Sequence, residues 1–234
     1  MNYAIILSGG KGTRIRDINI PKQYYFVKNI PIIKYSIETF IKNENIDGLV
    51  IVASSEWHEF IKKLIEKETN KFIGFVEAGE NRQRSIYNAL VFLKERAYDD
   101  DIVIIHDSAR PNVKSNLIDT CIENTKKCDG IMPVLPIKDT LYISESGNKI
   151  DALIDRNKLF AGQSPEAFKY GKYLKANERL MPNDILHING STEPAVLAGM
   201  NIDIIQGDEN NYKITTKSDL DKFRKEKKDE GICT

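Results

Sequence analysis

The first residues with a chemical signature form a glycine-rich run, Leu7-Ser8-Gly9-Gly10-Lys11-Gly12-Thr13-Arg14, followed by Pro21-Lys22-Gln23. Glycine has no Cβ, so backbone N–H groups in such a turn can close around phosphate oxygens. The run is not a Walker A loop, because Gly12 follows Lys11 where that motif needs Ser or Thr. Nor is it the dinucleotide fingerprint, because Ile15 stands where the third glycine would fall. Glycines alone also read as a plain tight turn. Here Arg14 and Lys22 can converge on the same phosphates. Two fixed cations beside a backbone cradle suit the negative charge that develops at phosphorus during group transfer.

A second pattern is His106-Asp107-Ser108-Ala109-Arg110-Pro111, directly after the apolar run Ile102 to Ile105. In open α/β sheets, ligands bind outside the carboxyl ends of the strands, which is where this hexapeptide falls. Asp107 is suited to Mg²⁺ or a sugar hydroxyl, and Arg110 to a phosphate or to orienting the aspartate. A purely structural Asp–Arg pair capping a turn is the plainer alternative.

The elements that must hold these residues are legible as a β-α rhythm. Strands are expected at Tyr3 to Leu7, Gly48 to Ala53, Phe72 to Val76 and Asp101 to Ile105. Helices are expected at Pro31 to Phe40, Trp57 to Leu64 and Arg82 to Arg96. Strands that are apolar throughout suit a parallel sheet covered on both faces. After about Asp129 the rhythm changes. Ile131 to Ile137 reads as a strand at an edge or with a bulge, because Pro133 and Pro136 interrupt it. Two short apolar runs, Thr140 to Ile143 and Ile150 to Ile154, flank a Ser146-Gly147-Asn148 turn signal and imply a hairpin arm at about 138–155. That arm reads equally as a dimer contact or a surface flap. Tyr170 to Leu180, Glu193 to Ala198 and Asp219 to Lys228 read as helices, and Ile202 to Ile205 as a strand. The expected fold class is α/β, a Rossmann-like mainly parallel sheet flanked by helices, in one domain spanning 1–234 with the inserted arm.

Composition bounds the function. The 234 residues carry 34 Lys+Arg and 34 Asp+Glu, a formal net charge of zero. Nucleic-acid binding is not expected, since it favours a basic excess. No stretch approaches the ~18 apolar residues of a membrane helix. The N-terminus lacks the basic region and cleavage site of a signal peptide. Three cysteines without CxxC spacing fit a reducing cytoplasm.

Taken together, Leu7 to Arg14, Pro21-Lys22-Gln23, His106 to Pro111, Lys138-Asp139-Thr140, Asp155-Arg156, Gly162-Gln163-Ser164-Pro165 and Lys213-Ile214-Thr215-Thr216 occur in an order spanning nearly the whole chain. In this they resemble the CTP-dependent cytidylyltransferases of the 2-C-methyl-D-erythritol 4-phosphate and ribitol 5-phosphate group (IspD and TarI). The resemblance implies transfer of CMP from CTP to a polyol phosphate, with pyrophosphate leaving and a CDP-alcohol formed. It implies a dimer whose β-arm reaches the neighbour's site, and Mg²⁺ on the triphosphate. By matching motif, Ser8, Gly9, Gly10, Lys11 and Gly12 would line the nucleotide. Arg14, Lys22 and Lys213 would stabilise the transition state. Gly79, Glu80, Arg82 and Ser85 would lie along the cytosine-reading segment. Asp107, also the metal ligand, and Ser108 would sit beside ribose and metal, with Arg110 near the acceptor. Thr140 and Arg156 would hold the acceptor phosphate, with Ser164 nearby. No protein nucleophile is implied, since the acceptor phosphate is itself an oxyanion.

The chain departs from the family pattern at two places. A Thr-Asp pair is expected in the stretch that here reads His187-Ile188-Asn189-Gly190-Ser191-Thr192-Glu193-Pro194, where the acidic residue is missing near Asn189-Gly190 although Glu193 lies nearby. Within the Gln-Thr-Pro-Gln motif, Ser164 keeps the hydroxyl of the Thr and Glu166 replaces the last Gln. His106-Asp107-Ser108 and Gly162-Gln163 lean toward the ribitol-phosphate members. Cys121 and Cys128 read as core residues on one helix face rather than zinc ligands. His58 reads as a helix-boundary residue, His187 as a candidate substrate contact near the variant loop, and Lys217 to Lys228 as a solvated helix face. Two alternatives remain open: a nucleotidyltransferase using another NTP or a sugar 1-phosphate, and a catalytically silent nucleotide-binding regulator.

Overall fold

In the strand Asn2–Leu7 (β1), alternate side chains enter opposite cores, as the two-residue period of a strand dictates. Tyr3 and Ile5 pack on one face of the sheet, and Ala4 and Ile6 on the other. A strand buried on both sides has no polar position to spare, which is why these runs are apolar throughout. The structure is a computed structural model that describes residues 1–10, 20–65 and 69–229.

After β1 the described chain forms a small hairpin of Phe26–Val27 (β2) and Ile30–Pro31 (β3), then the helix Ile32–Lys42 (α1). Next come Gly48–Val52 (β4), His58–Ile65 (α2), Phe72–Val76 (β5), Arg82–Phe92 (α3), Ile102–Asp107 (β6) and Ser115–Thr125 (α4). Gly130–Pro136 (β7) leads into the arm, Leu141–Ile143 (β8) and Ala152–Ile154 (β9). The chain returns through Phe160–Gly162 (β10), Glu166–Lys169 (β11) and Tyr170–Glu178 (α5). It ends with Glu193–Leu197 (α6), Ile202–Gln206 (β12) and Lys217–Asp229 (α7).

The sheet runs β10-β7-β11-β6-β1-β4-β5, with β12 on the other side of β7. β1 pairs in parallel with both β4 and β6, placing Leu7 beside Val52 and Asp107. β10 and β11 run against the other strands. Helices α1, α2 and α4 cover one face of the sheet and α3 and α5 the other. A third cluster, Val27, Ile32, Ile214, Leu220 and Phe223, ties α7 back to the β2–β3 hairpin and α1.

Two expectations need correction. β7 is not an edge strand: β10 and β11 pair along one side of it and β12 along the other. Its Pro133 sits level with the gap between β10 and β11, where its carbonyl accepts from the Gln163 N–H at 2.8 Å and a residue without an N–H is tolerated. Pro136 is the last residue of the strand. Cys128 lies beyond the end of α4, so it and Cys121 share no helix face, although both are buried free thiols. Burial pushes the Cys121 thiol up to about 12. The hairpin forms as expected, with Leu141 opposite Ile154 and Gly147 at a positive φ of 74° in its turn. Its two strands pair only with each other.

Candidate active site

Strand order reverses between β1 and β6: the chain leaves β1 toward β4 and leaves β6 toward β11 and β7. At such a switch point the two carboxyl ends splay into a crevice. A cavity of about 560 Å³ occupies it, lined by Ser8, Gly9, Gly10, Lys22, Gln23, Gly79, Glu80, Asn81, Arg82, Ser85, Asp107, Ser108, Ala109 and Lys213, with Leu7 at its base.

The loop after β1 is shaped by internal hydrogen bonds. The Ser8 N–H donates to the Val52 carbonyl at 2.7 Å, and the Ser8 hydroxyl donates to the Tyr24 hydroxyl at 3.0 Å. The buried Gln23 amide donates to the Ser8 and Gly10 carbonyls, both at 2.8 Å. These bonds occupy the Ser8 and Gly10 carbonyls. A Cβ on Gly9 would lie 2.3 Å from the Ala78 Cβ, so the loop approaches the next wall too closely for any other residue. Lys11, Gly12 and Arg14 lie outside the described residues.

That wall is the loop 77–81, which leads into α3. The Asn81 side chain caps the helix by accepting from the Arg84 N–H at 2.7 Å, the usual role of an N-cap asparagine. The Ser85 hydroxyl accepts from the Gly79 N–H and donates to the Asn81 carbonyl, both at 2.9 Å. Ser85 thus lines the cavity with its hydroxyl engaged in holding the loop.

Opposite stands Asp107, the last residue of β6. Its Oδ1 accepts from Arg82 Nε at 3.0 Å and its Oδ2 from Lys213 Nζ at 2.7 Å. Burial alone would raise its carboxyl, yet Arg82 and Lys213 hold it well below the usual carboxylate range. Lys213 reaches the site because the Ile214 N–H donates to the Ala109 carbonyl at 2.8 Å, docking its segment onto the loop after β6. Ser108 donates its hydroxyl inward, to the Leu7 carbonyl at 2.7 Å. Behind Asp107, the Ser164 hydroxyl accepts from the Asp107 N–H at 3.1 Å and lies 3.3 Å from His106 Nδ1. His106 Nε2 lies 3.2 Å from the Arg110 carbonyl. Burial pushes the His106 imidazole down to about 3, keeping it neutral.

Several expected contacts are placed differently. Ser164 is buried and its hydroxyl serves the Asp107 backbone rather than an open surface. Arg110 does not pair with Asp107: its guanidinium donates to the Asn211 carbonyl at 2.7 Å and toward the Gly162 carbonyl at 3.5 Å. Thr140 and Arg156 are expected to act from the arm on a partner's site; they lie outside the cavity lining of their own chain, and Arg156 donates to the Lys138 carbonyl at 2.6 Å. His187 is exposed and outside the cavity lining. Gln23, Asn81 and Glu166 fall inside motif segments of the sequence, but their roles are legible only in the structure: the amides of Gln23 and Asn81 shape the loops, and the Glu166 carboxylate lies behind Arg82 with 3.8 Å between Oε1 and Nη2. Among the described residues no group of three or more His, Cys, Asp or Glu side chains is arranged to hold a metal.

A sheet of this order with a cation-flanked crevice at its switch point is the architecture of a nucleotidyltransferase. The structure of 4-diphosphocytidyl-2C-methyl-D-erythritol synthase from Anaerococcus prevotii superposes with a TM-score of 0.83 at 21% identity, over 97% of this chain and 96% of that one, a likeness of fold. The 2-C-methyl-D-erythritol 4-phosphate cytidylyltransferase (IspD) of Francisella tularensis superposes with a TM-score of 0.79 at 27% identity, covering 95% and 97%. The chain belongs to the IspD family, 2-C-methyl-D-erythritol 4-phosphate cytidylyltransferase, whose family model matches residues 2–224. It is 35% identical over 222 residues to the Clostridium beijerinckii protein of that name, covering 94% of this chain and 95% of the relative. It is also 29% identical over 225 residues to the ribitol-5-phosphate cytidylyltransferase of Streptococcus agalactiae, covering 96% and 94%.

Proposed function

We propose that this enzyme transfers CMP from CTP to the phosphate of a polyol phosphate. An oxygen of the acceptor phosphate attacks the α-phosphorus, the bond from that phosphorus to the β-phosphate bridging oxygen breaks, and pyrophosphate leaves with a CDP-alcohol formed. The observation that carries this reading is the Arg82–Asp107–Lys213 cluster opposite the glycine cradle. It places two cations and an ionised carboxylate in one nucleotide-sized cavity. Lys22 and Lys213 line it where charge on the phosphates and the departing pyrophosphate must be met. Arg14 is assigned the same role by its motif. The site needs no nucleophile of its own, so its task is to hold and stabilise rather than to form a covalent intermediate.

Mg²⁺ fits this donor set. Magnesium takes one or two carboxylates and completes its shell with water and phosphate oxygens. Asp107, kept ionised by its two cations, supplies a hard oxygen of the right kind. When bound, the ion would neutralise the triphosphate.

The acceptor phosphate is assigned to Thr140 and Arg156 of a second copy of the chain, delivered by the arm. Tyr142 and Leu153 on the arm are 56% and 65% exposed. A two-stranded hairpin with its apolar side chains in water is marginal alone, and a partner surface would cover it. Among the described residues no helix is long and apolar enough to cross a membrane, and Cys121 and Cys128 are free thiols. A cytoplasmic setting follows from that chemistry as part of the proposal.

The deciding experiment is pyrophosphate release with Mg²⁺ and each of the four NTPs. The acceptor arms are 2-C-methyl-D-erythritol 4-phosphate, ribitol 5-phosphate, glycerol phosphates and a sugar 1-phosphate. CTP with a polyol phosphate is expected to be the productive pair. Turnover only with another NTP or with the sugar 1-phosphate overturns the reading, and CTP binding without turnover on any acceptor points to a regulator.

A further inference from the structure

Glu166 opens β11, the strand that runs against its neighbours, and this reversal sets it beside Ile105 at the carboxyl end of β6. Its residue is only 5% exposed. Oε1 lies 3.8 Å from Arg82 Nη2, while Oε2 accepts from the Thr192 hydroxyl at 3.1 Å and from the Ser191 hydroxyl. The Ser191 backbone is fixed in turn, its carbonyl accepting from the buried Tyr173 hydroxyl at 2.6 Å. The Arg82 guanidinium is therefore gripped at two points, by Asp107 on Nε and by Glu166 on Nη2. Arg82 lines the cavity and Glu166 does not.

A buried carboxylate is costly to desolvate, and Arg82 only partly offsets the upward push on its titration. A neutral glutamine would fill the same volume and accept the same hydroxyl bonds. A charge at this position is useful only if Arg82 needs an anchor that the ligand does not remove. Asp107 cannot be that anchor, because phosphates and a divalent cation compete for it and for its partners.

We propose that Glu166 is a positioning residue: it holds Arg82 aimed into the nucleotide cavity when the bound nucleotide draws Asp107 away. The proposal rests on the cytidylyltransferase reading above. In Glu166→Gln, where the volume is kept and the anchor charge lost, CTP affinity measured by calorimetry without acceptor is expected to weaken about tenfold. kcat/KM for CTP should fall at least as far, while KM for the acceptor stays within about twofold. Thermal stability should be unchanged or raised, because an expensive buried charge has gone.

Since Thr192 Oγ1 is within 3.1 Å of Oε2, Glu166→Gln/Thr192→Asp returns a carboxylate to the same place and should recover most of the lost affinity. Should Glu166→Gln fail to fold, Thr192→Val, which loosens the carboxylate at constant volume, should weaken CTP two- to fivefold. Wild-type CTP affinity in Glu166→Gln, or in Thr192→Val where that variant replaces it, overturns the proposal. So does a loss accompanied by a lower melting temperature that the double variant does not repair. Wild-type protein that fails to bind CTP instead overturns the cytidylyltransferase reading, and the same titrations are then run with the NTP that the panel selects.

Discussion

Asp107 is held by two cations that come from opposite directions, one at the start of α3 and one beyond β12. Removing Lys213 leaves Arg82 paired and takes away the cation proposed to face the phosphates. Lys213→Ala should lower kcat by on the order of 10²–10³ with little change in fold, measured by pyrophosphate release and circular dichroism. His106 works at the other end of the same residue. With its proton on Nε2 it donates to the Arg110 carbonyl, and its Nδ1 accepts from the Ser164 hydroxyl, which supports the Asp107 N–H. Its imidazole is pushed from 6.5 to about 3 by burial, with Arg110 and Arg82 adding to the fall and Asp107 opposing it. The unfolded chain therefore binds the extra proton first. This contribution to stability is complete above pH 6.5 and drains away as pH falls toward 3, at ~1.4 kcal/mol per pH unit. Glu166, raised in the folded state, acts with the opposite sign. The comparison is thus a difference curve: chemical denaturation of His106→Gln against wild type between pH 7 and 4.5 should show a flatter dependence in the variant.

At the scale of elements, the cradle and the loop 77–81 that leads into α3 meet at Gly9 and Ala78. Gly9→Ala should weaken CTP binding by about tenfold or more by prising the two apart, since an inserted methyl would lie 2.3 Å from the Ala78 Cβ, which sits on a short stem and cannot swing away. Calorimetry on the folded variant reads this directly. The parallel strands were legible in the sequence because burial on both faces writes a continuous apolar run, as in Ile102 to Ile105. β10 and β11 were not, because Phe-Ala-Gly and Glu-Ala-Phe-Lys are too short to show any period. Glu166 was visible as a departure from a motif, but without β11 its place behind Arg82 was not, because it reaches the site through that strand's reversal. The motif residues were visible as types, but their pairings were not. Asp107 was set beside Arg110, three positions away, whereas register and docking join it to Arg82 and to Lys213, 106 positions on.

For the whole molecule, a formal charge of zero conceals an uneven layout: Lys22, Arg82 and Lys213 line one cavity, while many other charges sit in exposed pairs such as Lys94–Glu178 and Lys126–Glu123. Exposed pairs contribute little individually. The role proposed for the arm requires a second copy. Replacing residues 138–155 with a short Gly/Ser linker should give a monomer by light scattering. Acceptor KM should rise about tenfold while CTP affinity holds. A dimer that survives the replacement with acceptor KM unchanged would remove the arm from the site.

The docking of Lys213 through Ile214 onto Ala109, and of α7 onto α1 through Phe223 and Ile32, makes the site a late event in the life of the chain. A ribosome has made the cradle, α3 and Asp107 long before the second counter-cation emerges. A message cut short upstream of Lys213 would therefore yield a protein with most of its sheet and its nucleotide cradle, but with Asp107 answering to Arg82 alone.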